Sequence, residues 1–211
     1  MYEIDVQTRE WLGERYWRED EALIAAREAF AERGPLIEVP SDTGATLATL
    51  VRLAGARRII EVGTLFGYSA TWMARALPSD GHLDTLELED VHADAAEALF
   101  ERVGLTDRVT VHRGPASDTL ATLDGPWDLA FIDADKGGYV EYARQLIPKM
   151  RPGGTIIADN VAAASKIGKP DVESDHVNAL RAYHEFLANE PRLQSNVLPI
   201  GDGLAVSIVV A

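Results

Sequence analysis

An apolar run, Trp127-Asp128-Leu129-Ala130-Phe131-Ile132, leads straight into Asp133-Ala134-Asp135-Lys136, and a second, Thr155-Ile156-Ile157-Ala158, ends in Asp159-Asn160. If both are neighbouring strands, about 4.8 Å apart, their ends bring Asp133, Asp159 and Asn160 together. Three such oxygen ligands suit a hard divalent cation and leave octahedral positions open for water or substrate. Taken singly, Asp133 could equally cap a helix, and Asp159-Asn160 could be turn residues. The chain has no cysteine, and His82, His92, His112, His176 and His184 include no helical pair, which argues against zinc. Lys136, just past Asp133, could swing over the same strand end and accept a proton there.

Three further strand ends carry unusual residues. Ile59-Ile60-Glu61-Val62-Gly63 is followed by Thr64-Leu65-Phe66-Gly67-Tyr68-Ser69. Two glycines at a strand-to-helix turn let the backbone pass close to a ligand. Leu65 and Tyr68 break the G-x-G-x-x-G pattern of a nicotinamide site. Glu61 is costly in a central apolar strand unless a cation or hydrogen bonds meet it. It suits a ligand bearing an amino group and a sulfonium better than a pyrophosphate; the alternative is a Glu satisfied by backbone. Glu87, 24 residues after Gly63, stands where α/β nucleotide sites bind ribose hydroxyls, although Glu89 and Asp90 also allow a solvated helix start. In Gly114-Pro115-Ala116-Ser117-Asp118, Ser117 reads as a helix cap. The same small residues could wall an adenine ring, and the two readings are compatible.

These residues need a scaffold that gathers strand ends. Strand candidates are Ile59–Gly63, His82–Leu88, Val109–Arg113, Leu129–Asp133 and Thr155–Ala158, with helical windows at 68–77, 90–103, 116–123 and 138–149. Alternation of this kind predicts right-handed parallel crossovers and a doubly wound α/β sheet, Rossmann-like, whose ligands sit beyond the carboxyl ends of the strands. After a helix around 176–188, Val197–Ile200 and Leu204–Val210 flank Gly201-Asp202-Gly203, which predicts an antiparallel hairpin on the sheet edge. Seven strands result. The first 35 residues read as helix, with Leu23, Ala26 and Phe30 on one face and a stop at Gly34-Pro35. Another helix follows Ser41-Asp42. The expected organisation is one domain over 1–211: a helical extension to residue 55, then the sheet core from 56.

The bulk properties narrow the partners. With 34 acidic and 20 basic residues the net charge of the 211-residue chain is −14. That opposes binding to nucleic acid or anionic lipid. No apolar run approaches the roughly 20 residues of a membrane span, and the first residues lack the regions of a signal peptide. A soluble, cytoplasmic protein acting on a small molecule is expected.

Together these residues resemble the metal-dependent catechol and caffeoyl-CoA O-methyltransferases, a branch of the class I S-adenosylmethionine-dependent methyltransferases. The likeness runs from about Ile37 to the C-terminus. It rests on Ile60-Glu61-Val62-Gly63 with Gly67-Tyr68-Ser69, on Phe131-Ile132-Asp133-Ala134-Asp135-Lys136, on Pro152-Gly153-Gly154 with Asp159-Asn160, and on Leu198-Pro199-Ile200-Gly201-Asp202-Gly203. The resemblance implies that Glu61, Gly63, Thr64 and Ser69, with the Val39 backbone, hold the methionine part of S-adenosylmethionine. It implies that Glu87 binds the ribose, that Ala116 and Ser117 flank the adenine, and that Asp133 and Asp135 also face the cofactor. Asp133, Asp159 and Asn160 become ligands of a divalent metal, magnesium first, with manganese or calcium as alternatives. Lys136 becomes the base, with Asp133 beside it in the catalytic pair, and a homodimer is expected.

The implied reaction is methyl transfer to a metal-chelated hydroxyl of a small aromatic acceptor, catechol-like or a related phenol. A phenol has a pKa near 10, so a cation and a base are needed to make it a nucleophile. Val161-Ala162-Ala163-Ala164-Ser165-Lys166 and His184 depart from the plant caffeoyl-CoA pattern and put that particular substrate in doubt. The acceptor is expected against the N-terminal helices, the Val161–Asp175 loop and the last helix, with Trp11, Tyr16, Trp17, Tyr139 and Tyr183 as available aromatics. Competing readings are transfer to a non-aromatic hydroxyl or to nitrogen, a nicotinamide-dependent oxidoreductase, and a binding protein without turnover.

Overall fold

The computed structural model describes residues 5–31 and 39–210, side chains of 28–31 excepted. The helix stop expected at Gly34-Pro35, the Phe30 side chain, and Ile37 lie outside the described residues. Helices α1 (Val6–Tyr16) and α2 (Glu21–Ala31) precede α3 (Ser41–Leu53). The chain then runs β1 (Arg58–Val62), α4 (Tyr68–Ala76), β2 (His82–Glu87), α5 (Asp90–Arg102), β3 (Val109–Arg113), α6 (Ala116–Thr122) and β4 (Trp127–Ile132). It ends with α7 (Tyr139–Leu146), β5 (Met150–Ala158), α8 (Asp175–Asn189), β6 (Leu193–Leu198) and β7 (Leu204–Val209).

The strands form a seven-stranded sheet in the order β3-β2-β1-β4-β5-β7-β6. The first five pair in parallel and the last two are antiparallel. The winding reverses between β1 and β4, which makes their carboxyl ends the switch point. Alternation along β1 sends Ile60 and Val62 to one face and Ile59 to the other. The first face packs on α7 and α8 through Tyr142, Leu146, Leu180 and Tyr183. The second packs on α3, α4 and α5 through Leu47, Val51, Met73, Ala96 and Phe100. Both faces are covered, as a parallel sheet requires. Among the described residues no helix is long and apolar enough to cross a membrane.

Several expected boundaries shift. The described N-terminal stretch is two helices, because the backbone leaves helical geometry at Trp17. Asp5 and Asp20 cap them, accepting from Thr8 N at 2.7 Å and Leu23 N at 3.0 Å. Pro40 is the N-cap of α3, so Ser41 is already helical, and Asp42 turns inward to pair with Arg9. Ser117 does not cap α6: Pro115 holds that position, without a side-chain bond. The expected 138–149 helix is α7 flanked by single 3₁₀ turns. Strand β5 starts at Met150, and its register against β4 jumps between Trp127 and Leu129, which absorbs the Pro-Gly-Gly segment as an irregularity. The hairpin is longer than its turn residues suggested, since the polar residues Gln194, Ser195 and Asn196 extend β6 backward along β7.

Candidate active site

The ladder continues one residue beyond each central strand. Gly63 N donates to Leu86 O at 3.0 Å, Asp133 N to Val62 O at 2.9 Å, and Asp159 N to Ile132 O at 3.1 Å. Main-chain bonds therefore align the tips of four neighbouring strands. Gly63 has φ +99°, and a Cβ there would overlap the Asp133 carbonyl oxygen. Only glycine lets β1 end this close to β4.

A cavity of about 720 Å³ lies against these tips. Val39, Gly63, Thr64, Ser69, Glu87, Ala116, Ser117, Asp133, Asp135, Lys136 and Asn160 all line it. Glu61 and Asp159 do not, and both are fully buried. Glu61 sits below the floor. Ser69 Oγ donates to its Oε1 and Thr85 Oγ1 to its Oε2, each at 2.6 Å, and Thr64 Oγ1 lies 2.6 Å from Thr85 Oγ1. Burial, which outweighs the two hydroxyl donors and is reinforced by the charges of Asp133 and Glu87, pushes Glu61 up to about 8. Glu61 fixes Ser69 and, through Thr85, Thr64.

Glu87 braces the glycine turn. Its Oε2 accepts from Leu65 N at 2.7 Å and its Oε1 from Glu89 N at 2.9 Å. Leu65 is held at φ +49°, an unusual value for a branched side chain. Asp135 Oδ2 caps the 3₁₀ turn at Gly138 N, and its Oδ1 accepts from the Tyr142 hydroxyl at 2.5 Å. The cap expected as an alternative for Asp133 therefore falls to Asp135.

Asp133 is left facing a cluster of oxygens. Lys136 Nζ donates to Asp133 Oδ1 and Asn160 Oδ1, both at 2.9 Å, and to Tyr139 Oη at 2.5 Å. Tyr139 in turn donates to the Asp159 carbonyl at 3.1 Å. Asp159 Oδ1 accepts from Asn160 N at 2.7 Å, while the buried Asp159 Oδ2 has no hydrogen-bond partner. Burial, then the Asp133 charge, pushes the Asp159 carboxyl up to about 7. An unpartnered buried carboxylate oxygen beside a second carboxylate is an arrangement that a cation relieves. Among the described residues no three His, Cys, Asp or Glu side chains cluster to hold a metal. The candidate set has two carboxylates and reaches three only with the Asn160 amide. Asn160 presents that amide from a left-handed backbone, φ +58°.

Beyond Asn160 the chain makes a left-handed turn, Ala163, Ala164 and Ser165 all having φ between 51° and 60°. Both Asp202 carboxylate oxygens accept from Ala164 N at 2.8 Å, which holds the turn against the hairpin loop. Arg181 of α8 donates to the carbonyls of Ile167, Lys169 and Val172 at 3.3, 2.5 and 3.0 Å. The loop expected to line the acceptor contributes none of the lining residues, but Asn160 and His176, which do line the cavity, stand on either side of it.

A family model described as O-methyltransferase matches residues 17–209. The chain belongs to the O-methyltransferase family. It is 40% identical over 201 residues to a catechol O-methyltransferase of Niastella koreensis, covering 90% of this chain and 91% of that one. It is 39% identical over 198 residues to a catechol O-methyltransferase of Mycobacterium tuberculosis, covering 90% of each. Among solved structures, the O-methyltransferase TomG from Streptomyces achromogenes, in complex with SAM, is 34% identical with a TM-score of 0.91, over 97% of this chain and 96% of that one. Family membership sets aside the nicotinamide oxidoreductase.

The expected aromatic walls are placed elsewhere. Tyr139 and Tyr183 are core residues stacked edge to face at 5.4 Å, while Trp11 and Tyr16 are exposed on α1. Leu65, Phe66, Tyr68, His92 and Tyr142 line the cavity instead, with Ala26 and Arg27 from α2. The Tyr68 hydroxyl donates to Glu19 at 3.0 Å and so ties the start of α4 to the α1–α2 connection. Tyr139 was legible as more than an aromatic: it stands one turn past Lys136, the spacing at which side chains meet.

Proposed function

We propose that this O-methyltransferase uses S-adenosylmethionine to methylate one hydroxyl of a small catechol-like acceptor held at a divalent-cation site made by Asp133, Asp159 and Asn160. The observation that carries the reading is the buried, unpartnered Asp159 Oδ2 beside Asp133 and Asn160 at the cavity's edge. The chemistry of the donors, all oxygen, fits a hard cation such as magnesium. The catechol O-methyltransferase names of two relatives and the SAM complex of TomG support it.

S-adenosylmethionine supplies the activated methyl, and a divalent cation supplies a positive centre that favours the ionised form of an adjacent hydroxyl. The residues do the rest. Ser69 and Thr64, fixed by Glu61 and Thr85, and the open backbone at Gly63 orient the amino-acid end of the methyl donor. Glu87 accepts hydrogen bonds from the ribose hydroxyls, and Ala116 and Ser117 leave room for the flat adenine. Asp133, Asp159 and Asn160 fix the acceptor side relative to the donor side, and that alignment lowers the barrier. Lys136 Nζ, once its ammonium has given a proton to solvent, takes the acceptor's hydroxyl proton.

Methyl transfer should be measured over catechols, hydroxycinnamates, their CoA esters, aliphatic alcohols and amines, with magnesium and after exhaustive chelation. Catechol methylation that stops on chelation and falls at least about a hundredfold in Asp159→Ala is the expected result. Undiminished turnover in either case overturns the cation site. Transfer to amines or aliphatic alcohols alone overturns the acceptor.

A further inference from the structure

Lys136 is bound in an unusually complete way for a side chain assigned to proton transfer. An ammonium has three N–H donors and no acceptor. All three donors are used, on Asp133 Oδ1, Asn160 Oδ1 and Tyr139 Oη, and the side chain is only 12% exposed. Two of those three oxygens belong to the proposed cation ligands. A divalent cation bound to the same oxygens at roughly 2.0–2.6 Å would stand only a few ångströms from the ammonium, and two positive charges that close oppose each other's binding. The ammonium leaves the second carboxylate short, since Asp159 Oδ2 keeps no partner. A lysine ammonium on a flexible four-carbon stem is well suited to leave.

We propose that the Lys136 ammonium and a divalent cation are alternative occupants of one oxygen cage. Loading the cation then releases Lys136 Nζ toward the cavity, where it gives one proton to solvent and, as the amine, can accept the proton of the acceptor hydroxyl. This rests on the cation-site reading above. The base is thereby held out of use until the site that positions the acceptor is complete. Linkage makes the relation reciprocal: whatever holds Lys136 in the cage weakens cation binding by the same factor. Tyr139 is the anchor that biases the balance, because it accepts from Lys136 while its own proton is committed to the Asp159 carbonyl.

The test is manganese binding to the full chain, by calorimetry and by the paramagnetic resonance of free manganese, in wild type, Lys136→Met and Tyr139→Phe. Lys136→Met should bind manganese at least about tenfold more tightly, within the usual range for coupled sites. Tyr139→Phe keeps the lysine charge and removes one of its anchors, so it should tighten binding about two- to fivefold. Tightening in Lys136→Met with no change or a loss in Tyr139→Phe would reflect removal of a nearby charge and overturn the shared cage. A crystal structure of wild type with manganese should show Nζ beyond hydrogen-bond distance of Asn160 Oδ1; a bound ion with both lysine contacts intact overturns the proposal. Equal binding by wild type and Lys136→Met overturns this proposal alone. No binding by any of the three overturns the cation site with it.

Discussion

Glu61→Gln tests whether the buried floor of the site is neutral. In the folded chain burial holds the Glu61 carboxyl up to about 8, against an ordinary 4.5. Below 4.5 both folded and unfolded chains keep the proton, and its contribution to stability is full. As pH rises past 4.5 the unfolded chain releases the proton while the folded chain retains it. Stability is then lost at about 1.4 kcal/mol per pH unit until the folded carboxyl also ionises near 8. The total, on the order of 5 kcal/mol, is comparable to the whole stability of many domains. Glutamine has the same size, can accept from Ser69, and has no proton to lose. Urea unfolding of both proteins, without ligand, at intervals from pH 5 to 8.5 gives the comparison. Every other titrating group is shared, so the stability of the variant minus that of wild type should climb across this range. Parallel curves would mean that Glu61 ionises near its ordinary value in the fold, and the argument from burial would fail.

Gly63→Ala forces a side chain against the Asp133 carbonyl at φ +99°, which should cost about 2–4 kcal/mol by thermal or urea unfolding; an unchanged midpoint would show that the strand tips are not closely apposed. Glu87→Gln replaces the carboxylate that accepts from Leu65 N and Glu89 N. Affinity for S-adenosylhomocysteine, measured by calorimetry, should fall about ten- to a hundredfold, as for a lost charged acceptor, and retained affinity would remove Glu87 from the ribose site.

The sheet was readable because its signal is periodic and long-range. Buried runs such as Leu129–Ile132 and Ile156–Ala158 can hardly be placed anywhere but in a covered parallel sheet. Strand tips with carboxylates then follow from topology, and the cavity meets them where a doubly wound sheet dictates. What the sequence concealed is depth. Glu61 and Asp159 look like their neighbours Glu87 and Asp133, yet both are fully buried, and only packing by helices distant in sequence decides that. The Ser117 cap failed for a local reason: Pro115 already sets the backbone geometry that starts the helix. Of the aromatics the sequence offered, Tyr139 and Tyr183 pack against one another in the core between α7 and α8, a pairing across 44 residues that no local pattern shows.

Arg181 grips the loop after the site only by carbonyl oxygens, at Ile167, Lys169 and Val172. Carbonyls are the same for every amino acid, so the grip is blind to the side chains it holds. Side chains at residues 167, 169 and 172 can therefore be exchanged without removing the acceptors that anchor the loop to α8.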